Sequence, residues 1–139
     1  MTQIDPVRKI PKDFLGNFSE YTTWELNQAS EDELNLLFQV SDEVWSVRSD
    51  EGVPLLIAGV LPGTMLGRAP ELWIMLCKEL EQRPRRYVRE VRYLVQRLRE
   101  IYPRMRTKLE DRRPQCRFAE FFGFRPTGCW EQNYMIFEV

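Results

Sequence analysis

Apolar positions along this chain alternate between a helical and a two-residue period, and the switches mark its elements. Between Pro11 and Gln28 the aromatics Phe14, Phe18, Tyr21 and Trp24 recur at about helical spacing. That predicts one helix with Pro11 near its first turn and an apolar stripe facing the core, modestly weakened by Gly16. Ser30-Glu31-Asp32-Glu33 is a capping-box pattern, in which the Ser30 hydroxyl accepts an amide hydrogen of the first turn and three acids favour the helix dipole. A second helix, Glu31–Gln39, is predicted to follow and to bury Leu34, Leu37 and Phe38. The opening segment Thr2–Lys12 holds Pro6 and Pro11 and supplies a short edge strand at most, because proline cannot donate to a ladder.

Val44–Arg48 and Val53–Val60 are β-type runs joined by Ser49-Asp50-Glu51-Gly52, the signature of an antiparallel hairpin. Pro54 belongs at the start of the second strand, and Leu55-Leu56-Ile57-Ala58 is apolar enough to be buried on both faces. Leu61–Pro70 is a loop; its GTMLG lacks the spacing of a phosphate-cradling turn. Glu71–Cys77 reads as a central strand. Pro84–Tyr102 is the longest helix, with a seam through Tyr87 or Val88, Val91, Leu94 or Val95, Leu98, and Ile101 or Tyr102, ended by Pro103.

Arg104–Leu109 is a further strand, and Gln115–Phe122 a short helix with Phe118, Phe121 and Phe122 on one face. Gly123 takes the left-handed position that ends this helix, letting Phe124 fold back onto it. Glu131–Val139 alternates as a last strand, with Tyr134 and Ile136 on one face and Met135, Phe137 and Val139 on the other. This order describes an α/β (α+β) domain with an antiparallel front and a β-α-β unit behind it, one domain over residues 1–139.

Charge and chemistry narrow the functions. The chain has 139 residues and net charge −1, with no histidine, which excludes histidine-based triads and the usual histidine metal sites, so no metal is expected. Cys77, Cys116 and Cys129 lack disulfide or zinc-ribbon spacing and read as reduced thiols. Residues 1–51 carry eleven acids and four bases, residues 52–139 ten acids and sixteen bases. Such asymmetry means either intramolecular complementarity, the plainer reading, or a basic face for an anionic partner. Nine arginines lie between Arg83 and Arg106 against Glu90 and Glu100. A solvated amphipathic helix explains them; no nucleic-acid motif accompanies them, so a nucleic-acid partner is not expected. No window reaches the ~18 apolar residues needed to span a bilayer, and the N-terminus carries no export signal, which points to the cytoplasm.

The element order, with CRFAEFFGFRPTG closing the β-α-β unit, resembles the GCN5-related N-acetyltransferase (GNAT) family over roughly residues 30–139. The resemblance implies a mixed sheet with an antiparallel N-terminal hairpin, a central β-α-β unit and helices on both faces. Within that group the chain is similar to the internal virion (core) proteins of T7-like bacteriophages, through Arg117-Phe118 and Gly123 of the turn. That likeness implies a protein partner and a place in the phage virion.

Two departures from the family pattern bear on activity. Family enzymes bind the acetyl-CoA pyrophosphate in a glycine-bearing loop whose amides approach the phosphates, and here that loop is Gln82-Arg83-Pro84-Arg85-Arg86-Tyr87. The glycine positions fall on Arg85 and Tyr87, and Pro84 removes an amide. Arg83, Arg85, Arg86 and Tyr87 are therefore the candidate cofactor-binding residues, with arginine side chains in place of amides. Many family members also place a tyrosine four residues before the terminal glycine to protonate the departing thiolate, where this chain has Ala119. Glu71, Glu79 and Tyr134 remain as candidate acid–base residues, against the plainer reading that each is an ordinary strand-end or surface group. The sequence thus favours a degenerate acyltransferase scaffold acting through protein contacts. The alternative is an active acetyl-CoA-dependent N-acyltransferase with a divergent pyrophosphate loop.

Overall fold

The computed structural model describes residues 2–64, 67–110, 113–121, 123–131 and 134–138, with 110 and 113–115 described by their backbone alone. The expectations for Phe122, for Val139 and for the centre of GTMLG fall outside the described residues. Seven strands form one sheet: β1 (Gln3–Pro6), β2 (Glu43–Arg48), β3 (Pro54–Leu61), β4 (Glu71–Leu76), β5 (Arg106–Glu110), β6 (Arg125–Glu131) and β7 (Tyr134–Glu138). Their order is β1-β2-β3-β4-β5-β7-β6, and every pair is antiparallel except β4 with β5. The predicted hairpin is β2 and β3, with Pro54 opening β3 and Leu55 to Ala58 almost wholly buried.

The single helix expected over Pro11–Gln28 is instead two pieces. A 3-10 turn at Lys12–Phe14 ends before Gly16, whose φ of +80° no helix accepts. The chain then runs extended through Phe18, which bridges Cys77, before α1 (Glu20–Gln28) begins on the Ser19 cap, whose Oγ accepts from Thr22 N at 3.2 Å. This detour buries Phe14 and Phe18 but leaves Trp24 outside at 52% exposure, so the stripe does not face the core as one surface. α2 (Glu31–Val40) starts as its capping residues require, with Ser30 Oγ accepting from Glu33 N at 3.1 Å.

Two apolar layers cover the sheet. On one face Phe38, Leu26, Leu34 and Leu37 from α1 and α2 join Phe14 and Phe18 over Val44, Ile57 and Met75. On the other, α4 (Val88–Ile101) lays Val91, Leu94 and Leu98 over Leu56, Ala58 and Val60, with Ala119 of α5 (Arg113–Phe121) in the same cluster. The predicted seam of the long helix is therefore its core face, although Pro84–Tyr87 forms a separate 3-10 turn and a short α3 (Lys78–Gln82) precedes it.

α5 ends as its glycine dictates. Gly123 has φ +92°, its N–H donates to Glu120 O at 2.9 Å, and Phe124 N–H donates to Ala119 O at 3.0 Å. Phe124 is buried beside Ala119 in consequence. β6, absent from the predicted order, is an exposed edge strand carrying Pro126 and Gly128, with a register shift against β7 between Pro126 and Trp130. It shows no alternation for a sequence to reveal. No helix among the described residues is long and apolar enough to cross a membrane.

Candidate active site

β4 and β5 meet at one point. Glu71 and Arg106 are their only strand partners among the described residues, with Arg106 N–H donating to Pro70 O at 2.8 Å and Thr107 Oγ1 to Leu72 O at 2.9 Å. Beyond that joint the strands diverge and leave a cavity of about 620 Å³. Its walls are mainly apolar: Leu72, Ile74 and Leu76 from β4, Leu109 from β5, Val88 and Val91 from α4, and Phe118, Ala119 and Phe121 from α5.

The backbone of β4 adds polar groups to this cleft. Cys77 N–H donates to Leu55 O at 3.0 Å, so by the alternation of an antiparallel ladder odd residues of β4 turn their backbone to β3 and even residues to the β5 side. Leu76 is met there by the start of α1, its O accepting from Ser19 N at 2.8 Å and its N–H donating to Thr22 Oγ1 at 3.2 Å. Ile74 lies between these closures, and among the described residues no strand pairs with it on that side. An extended ligand bearing amides can take up that rung.

Charged groups mark the two ends. At the joint, Glu131 Oε1 accepts from Arg106 Nη2 at 2.8 Å and Arg68 Nη2 at 3.0 Å, while its Oε2 lies 3.3 Å from Lys108 Nζ. Glu71 Oε1 lies 3.3 Å from Arg106 Nε, outside hydrogen-bond geometry, and 3.7 Å from Lys108 Nζ. Arg106 above all, with Lys108 and Arg68, holds the Glu131 carboxyl below its usual range against the opposing effect of burial. Toward the other end the cleft is bordered by Glu81, Pro84, Arg85 and Arg117.

The structure thus separates the candidates chosen from sequence. Glu71 and Tyr134 both line the cleft, as does Arg85. Glu79 lies elsewhere: its Oε2 accepts from Arg83 Nη1 at 2.8 Å and its Oε1 from Tyr87 Oη at 2.9 Å. Burial, and then that bond to Glu79, raises the Tyr87 hydroxyl pKa. Arg83 is spent on Glu79, and Arg86 points to Glu51 at 3.9 Å and over the Tyr87 ring at 5.6 Å. Tyr87 is 4% exposed and belongs to the core, away from the cleft wall, whereas Arg85 borders the cleft.

Sequence reasoning missed Thr107, Trp73, Tyr21, Glu25 and Arg117, all on the cleft wall. Of these only Arg117, in the RF of the turn motif, carried a local signal. Cys77 is buried and its thiol is pushed up to about 12, chiefly by burial and then by the Asp13 charge, which removes it as a nucleophile near neutral pH.

No protein-family model matches this chain, and no curated protein does. Solved structures do match over nearly its whole length. An acetyltransferase from Agrobacterium tumefaciens superimposes with a TM-score of 0.67 at 13% identity, covering 98% of this chain and 90% of that one. The IAA acetyltransferase from Bacillus cereus gives 0.64 at 13% identity, over 100% and 99% of the two chains. A GNAT family acetyltransferase from Elizabethkingia anophelis with acetyl-CoA bound gives 0.64 at 12% identity, over 99% and 97%. Identity this low speaks for architecture and leaves chemistry to the site. In its mixed seven-stranded sheet, with helices on both faces and one parallel pair at its centre, the chain has the GNAT fold.

Proposed function

We propose that the protein binds an acyl-coenzyme A type thioester in the β4–β5 cleft and transfers its acyl group to an amine. The observation that carries this reading is the cleft itself, open between Ile74 and β5 where a scaffold that had lost its ligand would be expected to close or fill it. An acyl-pantetheine arm is extended, amide-bearing and largely apolar, and the cleft offers an unpaired β4 rung between apolar walls. The Elizabethkingia protein of this fold holds acetyl-CoA, which agrees with the reading.

In the transfer, the amine nitrogen attacks the thioester carbonyl, a C–N bond forms and the C–S bond breaks. The amine gives up a proton, for which Glu71 is the carboxylate at the joint, and the departing sulfur takes one. Ala119 has no proton to give, so Tyr134 or water fills that role. Arg85 meets the phosphates by side-chain pairing, since Pro84, Arg85 and Tyr87 stand where the family has loop amides and glycines. Arg86, turned to Glu51 and Tyr87, takes no part.

Calorimetry with acetyl-CoA tests this. Micromolar binding is expected, weakened about tenfold or more by Arg85→Glu and little changed by Arg86→Glu, the loss of one charge-assisted pair being worth about 1.5–3 kcal/mol. No binding heat and no transfer to any amine of a panel would overturn it. A second reading rests on Arg85, Tyr87 and Ala119 at the divergent positions: a GNAT-fold protein without transferase activity, working through protein contacts, as a phage virion component would. Saturable acetyl-CoA binding without turnover in wild type would favour that reading.

A further inference from the structure

The charge asymmetry of the sequence has a direction in the fold. The acidic half supplies α1 and α2 on one face of the sheet, and the arginine-rich α4 lies on the other. Between the two halves, Arg86 lies 3.9 Å from Glu51, and Tyr102 Oη donates to Asp42 Oδ2 at 2.6 Å. Other ion pairs lie within one half, as Arg48 with Asp13 and Arg106 with Glu131 do.

Each face also shows apolar groups amid its charges. On α2, Asp32, Leu36 and Val40 follow one another at four-residue steps, with Leu36 56% and Val40 48% exposed, and Trp24 of α1 is exposed on the same layer. On the opposite layer a groove of about 380 Å³ runs between α4 and α5, floored by Val91, Val95 and Phe121 and bordered by Arg92 and Arg99, with Glu100 the one acid on its wall among the described residues. Tyr93 and Ile101 of α4 are exposed as well.

We propose that copies of this chain associate head to tail, the acidic α1–α2 face of one seated on the basic α4–α5 groove of the next. Charge complementarity selects a second copy as the occupant, because the chain itself presents apolar side chains among carboxylates on one side and an apolar groove between arginines on the other. The two surfaces lie on opposite sides of the sheet, so one neighbour cannot engage both. The contact is heterologous and generates rings or open arrays instead of a two-fold dimer.

Sedimentation velocity tests this with the unmodified chain: assemblies larger than a dimer are expected at about 20 mM salt and monomer at about 500 mM, where screening is short-ranged. An Arg92→Glu, Arg99→Glu variant and a Glu31→Lys, Asp32→Lys variant should each remain monomeric at low salt. Mixed in equal amounts they should associate, since each supplies the surface that the other lacks. A wild type that stays monomeric at low salt and high concentration, or forms only a salt-insensitive dimer, overturns the proposal. So does a monomer that shifts duplex DNA in a salt-dependent way, which would give the arginine face to a polyanion.

Discussion

The two edges of β4 are built to different ends. Toward β3 it pairs in six consecutive positions, Leu56 with Leu76 through Leu61 with Glu71. Toward β5 it pairs, among the described residues, at Glu71 alone, while the Thr107 side chain and the start of α1 meet backbone groups on either side of Ile74. A central strand left unpaired on one side forgoes sheet hydrogen bonds, and the neighbouring contacts limit that loss to a short stretch. The closed edge holds the molecule together; the open one leaves room for a ligand.

The joint between these regimes should respond most to mutation. Arg106→Met leaves Glu71 and Glu131 without their buried cation and is expected to lower unfolding free energy by about 2–3 kcal/mol in urea, below the value for a fully buried pair because Glu131 is about a third exposed. A change under 0.5 kcal/mol would mean that the joint does not hold the strands. On the closed edge, Gly59 lies under Trp73, where a Cβ would clash with the indole Cε2 and Cζ2 atoms. Trp73 is held by Ser41 Oγ, which accepts from its Nε1 at 2.9 Å, and packs at 5.5 Å against Phe38. Gly59→Ala should therefore cost about 1–2 kcal/mol and shift Trp73 fluorescence, although it adds only a methyl group.

On the open edge, Thr107→Val removes the donor to Leu72 O and should cost about 1 kcal/mol by urea midpoint, with faster amide exchange in β4 than in β3. The smallest effect is on pH. Arg48 donates to both Asp13 oxygens at 2.8 and 2.9 Å and so lowers that carboxyl's pKa, as Arg106 does for Glu131. A folded-state pKa below the unfolded one gives stability that is present above the unfolded value, near pH 4, and lost as pH falls through the folded one. Solvent-screened pairs of this kind are worth up to about 1 kcal/mol, so acid titration of Asp13→Asn should lose a shallow slope below pH 4 and keep the rest.

Much of this architecture is legible locally. Ser30 with its three following acids, Pro54 before an apolar run and Gly123 after Phe121 each impose a backbone state through their own chemistry, and the structure obeys them. Gly16 is the instructive failure: an expected weak point in a helix is a full break, because Phe18 pairs with Cys77 and Ser19 caps a new helix. The cleft was not legible, since its opening depends on β5 turning to β7, a contact between distant segments. Nor could the sequence show that Arg83 and Arg86 turn away while Arg85 stays.

Cys77 has a consequence of its own. It sits where Phe18 bridges β4, fully buried, while Cys129 lies exposed near the end of β6. A thiol reagent in water therefore distinguishes surface from interior, marking Cys129 at once, the half-buried Cys116 more slowly and Cys77 only when the core opens. The rate of that last event is a clock for the opening of the whole sheet, built into the chain by its own buried sulfur.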